Sequence, residues 1–144
     1  AGGGPAAAVE AEATPVSVVK EEPELSEARA ALKEGRRLLK GDETGGAMVQ
    51  FKKALMLSRQ SANKVQERRA IRGLAACRRQ NGDLKGAIDD YLKVLEISQD
   101  MGEFTGDADA YGVIADLYTE LGDLERAGEF YDKYIQALPN DAYD

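Results

Sequence analysis

An alanine followed four residues later by an aromatic ring recurs at a fixed interval along this chain: Ala47 and Phe51, Ala87 and Tyr91, Ala127 and Tyr131. Both steps are 40 residues, and the register extends to Lys53, Lys93 and Lys133 and to Leu55, Leu95 and Ile135. Self-similarity at such a period restricts the chain to a stacked array, because a unit this short cannot bury its apolar face without a neighbour. Arrays of this kind present long surfaces on which other molecules bind.

Each unit divides into two helices. In the middle copy Ala70, Ile71, Leu74, Ala75 and Cys77 recur at helical spacing, Asn81-Gly82-Asp83 interrupts them, and Ala87, Ile88, Tyr91, Val94, Leu95 and Ile97 resume. The third copy repeats the plan around Gly122-Asp123. Glycine accepts the positive φ at which the first helix stops, and the aspartate accepts a hydrogen bond from the free N–H groups that open the second. Asp83 and Asp123 are therefore expected to be helix caps. The alanine lies where two helices cross, and the ring four residues on fills the next turn.

At these positions the chain resembles the tetratricopeptide repeat family. The family's alanine, aromatic at plus four and small or apolar residue at plus seven are matched by Ala47, Phe51, Ala54; by Ala87, Tyr91, Val94; and by Ala127, Tyr131, Tyr134. Its small residue twelve positions before that alanine falls on Gly35, Ala75 and Ala115, and a terminal proline on Pro139. Glu34 stands where the family has leucine, and Tyr134 where it prefers a smaller residue. The period of 40 is similar to the longer repeats of kinesin light chain and of Pins-type scaffolds. The resemblance implies an all-α fold, a right-handed α-α superhelix of three helical hairpins and six helices. Its repeats are expected at residues 26–62, 63–102 and 103–139.

Composition agrees: 43% apolar and 31% charged residues suit one helical domain, and no run approaches the apolar length of a membrane span. The lone Cys77 sits on an apolar stripe, where burial is expected over redox chemistry. Residues 1–25, rich in Gly, Ala, Pro and Glu, are expected to be a disordered tail, with Val16 to Val19 as the only candidate docking motif. Residues 140–144 are expected to be a disordered end. An acidic, Ala-rich start without methionine is similar to the mature N-terminus of plastid proteins, so a chloroplast location is expected, with the cytoplasm as the alternative.

Charge is distributed as a gradient. The net charge is +4 over residues 26–62, +2 over 63–102 and −9 over 103–144. In the resembled family the first helix of each repeat lines a concave groove. Carried over, the groove positions are Arg29, Leu32, Arg36 and Lys40, then Arg69, Arg72, Ala76 and Arg79, then Asp109, Gly112, Asp116 and Glu120. Guanidinium forks suit carboxylates, so the expected partner is an acidic or mixed-charge peptide or helix. The competing reading is that these charges form solvated helix faces worth little individually.

Other classes find little in the residues. The lysine, asparagines and arginine with which related domains clamp chaperone C-terminal tails are absent: the places hold Leu32, Arg36, Gly73, Gly112 and Asp116. There is no histidine, which removes serine triads, Cys-His pairs and the commonest zinc ligand. Asp107-Ala108-Asp109 departs from a calcium loop, since Tyr118 occupies the place of the bidentate glutamate. No phosphate loop occurs, and Gly2-Gly3-Gly4 lies in the tail. The cluster Arg68, Arg69, Arg72, Arg78, Arg79 gives a local basic surface without interleaved aromatics in an acidic chain, against nucleic-acid binding. Neither a cofactor, a metal nor catalysis is expected.

The chain stops soon after Leu138, so Phe130, Tyr134 and Leu138 are expected to form an uncovered aromatic end face. Tyr134 folding over that end is the alternative. The expected function is a non-catalytic scaffold or adaptor, and the resemblance extends to plastid assembly factors and regulators of pigment synthesis. A permanent structural subunit docked through the end face, or a regulatory domain of a larger protein, are the alternatives.

Overall fold

The computed structural model describes residues 23–139, and every regular element among them is an α-helix. In chain order these are α1 (Pro23–Lys40), α2 (Thr44–Gln60), α3 (Lys64–Gln80), α4 (Leu84–Met101), α5 (Asp107–Glu120) and α6 (Leu124–Ala137). Residues 23–25, expected as the end of the tail, form the first turn of α1, where proline is tolerated because its missing N–H has no intrahelical partner. The rest of the tail, including Val16 to Val19, and residues 140–144 lie outside the described residues.

Four of the five connections are the same tight turn, with its middle residue in the left-handed region: Asp42 at φ 60°, Ala62 at 53°, and Gly82 and Gly122 at 81°. The next helix then opens on a polar cap. Asn63, Asp83 and Asp123 accept hydrogen bonds from the backbone N–H of Gln66, Gly86 and Arg126 at 2.9, 3.0 and 3.1 Å, as expected for the two aspartates. The α4–α5 connection differs. Residues 102–106 form a longer loop flanked by Gly102 at φ 64° and Gly106 at φ 83°.

The repeated alanines are where the helices come closest, with Ala47 and Ala87 wholly buried and Ala127 2% exposed. Phe51 is the largest buried side chain and fills the space between α1 and α3. Both helices have glycine there: a Cβ built on Gly35 would stand 2.8 Å from the ring and one on Gly73 only 2.4 Å. The core continues through Leu32, Leu74 and Cys77, then Ile71, Val94 and Ile97, then Ile88, Ile114 and Leu117. Cys77 is buried as expected, and burial pushes its thiol pKa up.

Successive hairpins do not join in the same way. At the first junction α3 packs on both α1 and α2, whereas at the second α5 packs on α4 more sparsely and meets α3 through side chains, not backbone to backbone. The longer loop 102–106 fills the difference.

Candidate partner-binding groove

The second junction is closed by a polar network that starts from Arg68, a residue the sequence placed on a basic surface but which is 3% exposed. Its guanidinium donates to Ser98 Oγ at 3.0 Å, to the Glu103 carbonyl at 2.7 Å and to the Glu103 carboxylate at 2.5 Å. Ser98 in turn donates to Asp107 Oδ1 at 2.7 Å, at the first residue of α5. Hydrogen bonds from Thr105 and Arg68 hold the Glu103 carboxyl well below the usual range, down to about 2. The network fixes where α5, and with it the acidic repeat, sits against α3.

Arg72 is shared between this network and the groove. Its Nη2 donates to the Thr105 carbonyl at 2.5 Å and lies 3.7 Å from Asp107. Burial, with Arg68 close by, lowers its pKa. Arg72 also lines a cleft of about 280 Å³ with Tyr91, Gly106, Asp109, Ala110 and Val113. The Tyr91 hydroxyl sits in the fields of Arg79 and Arg72, which oppose the rise in its pKa that burial causes. Arg72 and Asp109 thus meet at one ring.

The next cleft, of about 550 Å³, is lined by Asp109, Gly112, Val113, Asp116, Tyr131 and Tyr134. Asp116 accepts a hydrogen bond from the Tyr131 hydroxyl at 2.6 Å, which holds one carboxylate at the mouth. Arg29, Arg36, Lys40, Arg69 and Glu120 are all exposed. Steps of seven and eleven residues return to nearly the same direction on an α-helix, so Arg29, Arg36 and Lys40 share one face of α1, and Asp109, Asp116 and Glu120 one face of α5.

Two sequence expectations change form here. Arg78, counted with the basic surface, is engaged by Asp90 at 2.7 Å and stands 3.7 Å from Asp83. The end-face trio is also divided. Phe130 turns inward between Tyr111 and Tyr118, with ring centroids 6.4 and 5.7 Å away, and Lys133 lies over it at 5.9 Å. Tyr134 covers Gly112, where a Cβ would stand 3.2 Å from its ring, and Leu138 is half-buried. The large apolar groups exposed along the body of α6 are Tyr131 and Ile135, at 38% and 56%, with Leu121 and Leu124 exposed at the turn that leads into it. The repeat itself was the available signal: Phe51, Leu55, Tyr91 and Leu95 hold these places in the earlier copies and are covered by a following helix.

Paired helices at a constant interval, an alanine at each crossing and the same tight turn in each hairpin define a helical repeat. A family model described as tetratricopeptide repeat matches residues 66–140, and the chain belongs to the tetratricopeptide repeat family, whose domains bind other proteins. It is 42% identical over 127 residues to the protein FLUORESCENT IN BLUE LIGHT, chloroplastic, of Arabidopsis thaliana. That match covers 88% of this chain but 40% of the relative, so the chain spans two fifths of that protein's length. The crystal structure of the TPR domain of Arabidopsis FLU superposes with a TM-score of 0.77 at 43% identity, over 79% of this chain and 96% of that one. The apo form of RapI shares the fold alone, with a TM-score of 0.73 at 22% identity over 88% of this chain and 45% of that one.

Proposed function

We propose that this chain is a non-catalytic adaptor that holds a mixed-charge segment of a partner protein along the faces of α1, α3 and α5. The acidic part of the segment meets Arg29, Arg36, Lys40, Arg69, Arg72 and Arg79, and its basic part meets Asp109, Asp116 and Glu120. The observation that carries this reading is the change of sign from α3 to α5: Arg72 and Asp109 line one cleft with Tyr91. A ligand of one sign is repelled at one end, so the gradient selects both a partner and its direction. The relative named as chloroplastic supports a chloroplast setting, in which such an adaptor would act as a regulator or an assembly factor.

The test is capture from a chloroplast extract with the wild type and with an Arg36→Glu, Arg79→Glu pair. Both positions lie outside the Arg68 network, so circular dichroism is expected to be unchanged. The wild type retains a partner that moderate salt elutes, and the pair loses it. Equal recovery of the same proteins by both forms refutes the groove reading.

A further inference from the structure

The first two repeats show what an aromatic at this position is for. Phe51 projects from α2 and is closed over by the next helix, α3, which presents Gly73 to the ring and packs Leu74 and Cys77 into the same cluster. One repeat on, α5 closes over α4, bringing Ile114 and Leu117 against Ile88 and Leu95. Two repeats on, the same construction is exposed: Tyr131 and Ile135 stand 38% and 56% open beside the cleft of about 550 Å³. Tyr131 and Ile135 hold the places of Phe51 and Leu55, which α3 covers on α2. The walls of the cleft carry the carboxylates of Asp109 and Asp116 and no cation.

We propose that this end, which shares Asp109 and Asp116 with the acidic part of the groove and so rests on that reading, takes one basic amphipathic helix of a partner protein in the register of α3. The occupant places a glycine or alanine over the Tyr131 ring, an apolar pair against Ile135 and Val113, and Lys or Arg toward Asp109 and Asp116. A second copy of this chain does not fit. The positions of its leading helix that correspond to Gly73, Leu74 and Cys77 are Lys33, Glu34 and Arg37, and Arg37 is tied to Glu34 at 2.5 Å on an exposed face. Among the described residues the leading face of α1 is polar and the trailing face of α6 is apolar and acidic, which argues against head-to-tail pairing of two copies.

The chain supplies a probe of the right chemistry. Residues 64–80 carry six Lys or Arg and one acid around the Gly73 face. A fluorescent peptide of that sequence, with Cys77→Ser and a hydrocarbon staple on its outward side, is titrated with the whole chain and followed by anisotropy. Saturable binding is expected, weakened about tenfold or more by Tyr131→Ala with Ile135→Asp in the protein, by Gly73→Leu in the peptide, and by Arg-to-Glu exchange in the peptide. The Arg36→Glu, Arg79→Glu protein is expected to bind as the wild type does, which distinguishes failure of this seat from failure of the basic part of the groove. Absence of saturable binding, indifference to the Tyr131 and Ile135 changes, or loss only in the groove variant overturns the proposal. So does a sedimenting dimer that Ile135→Asp disperses, because a second copy would then be the occupant.

Discussion

Replacing Gly73 by alanine places a methyl group 2.4 Å from two carbons of the Phe51 ring, where ordinary contact between carbons begins about 1 Å farther out. The ring has no retreat, since it is 1% exposed and its other face meets Gly35. Helix α3 must move instead, at an overpacking cost of about 2–3 kcal/mol. Alanine returns about 1 kcal/mol through its better helix propensity, which leaves a net loss of about 1–2 kcal/mol. In a Phe51→Ala background the obstacle is gone. The same methyl then keeps the propensity gain of about 1 kcal/mol and fills part of the cavity, so the substitution becomes stabilising. The sign reverses, and the coupling between the two positions is about 2–3 kcal/mol. Urea unfolding followed by far-UV circular dichroism reads all four members of the cycle. Phe51→Ala alone costs about 3–5 kcal/mol, so Phe51→Leu provides a milder second background with a smaller shift in the same direction. If Gly73→Ala destabilises equally with and without the ring, Phe51 is not what demands glycine on α3.

Ala62 holds a left-handed φ of 53° with a Cβ, so Ala62→Gly is expected to raise stability by about 1 kcal/mol in the same urea assay, and a fall in the midpoint counts against the turn assignment. Glu103 has a pKa lowered from 4.5 to about 2, so its contribution is full above pH 4.5 and is lost as pH falls toward 2; Glu103→Gln is expected to flatten that part of a stability profile, and an unchanged profile refutes the assignment. Arg68→Ala takes the donor from Ser98 and from the Glu103 carbonyl and carboxylate at the second junction, and hydrogen exchange across residues 98–107 is expected to accelerate while α1 and α2 keep their protection.

The hairpins were legible because they rest on local chemistry that repeats. Gly82 and Gly122 need a conformation that glycine takes freely, and Asp83 and Asp123 cap with their own carboxylates, so two residues suffice to mark each turn. Asp42 and Ala62 adopt the same conformation without the marker, which is why the other turns are invisible locally. Arg68 was illegible for another reason. Its partners Ser98 and Glu103 lie 30 and 35 residues away, and only the packing of α4 and the loop around it converts an apparent surface arginine into a buried one. Phe130 illustrates a substitution within the pattern. The pair Arg78 and Asp90 joins the helices of the second hairpin by charge, and at the same places in the third stand Tyr118 and Phe130, joined by their rings. A reading by residue type sends Phe130 to the open end, while a reading by position sends it inward.

Residues 102–106 set where the molecule yields under load. The leading two hairpins meet helix to helix along their backbones, whereas the last is attached through one neighbouring helix and side-chain bonds to a short stretch bounded by glycines at both ends. Compliance is therefore concentrated at one place, and the angle of the acidic hairpin is the softest coordinate of the stack. A cargo that spans the joint would stiffen it, and one confined to a single side would leave it free to swing.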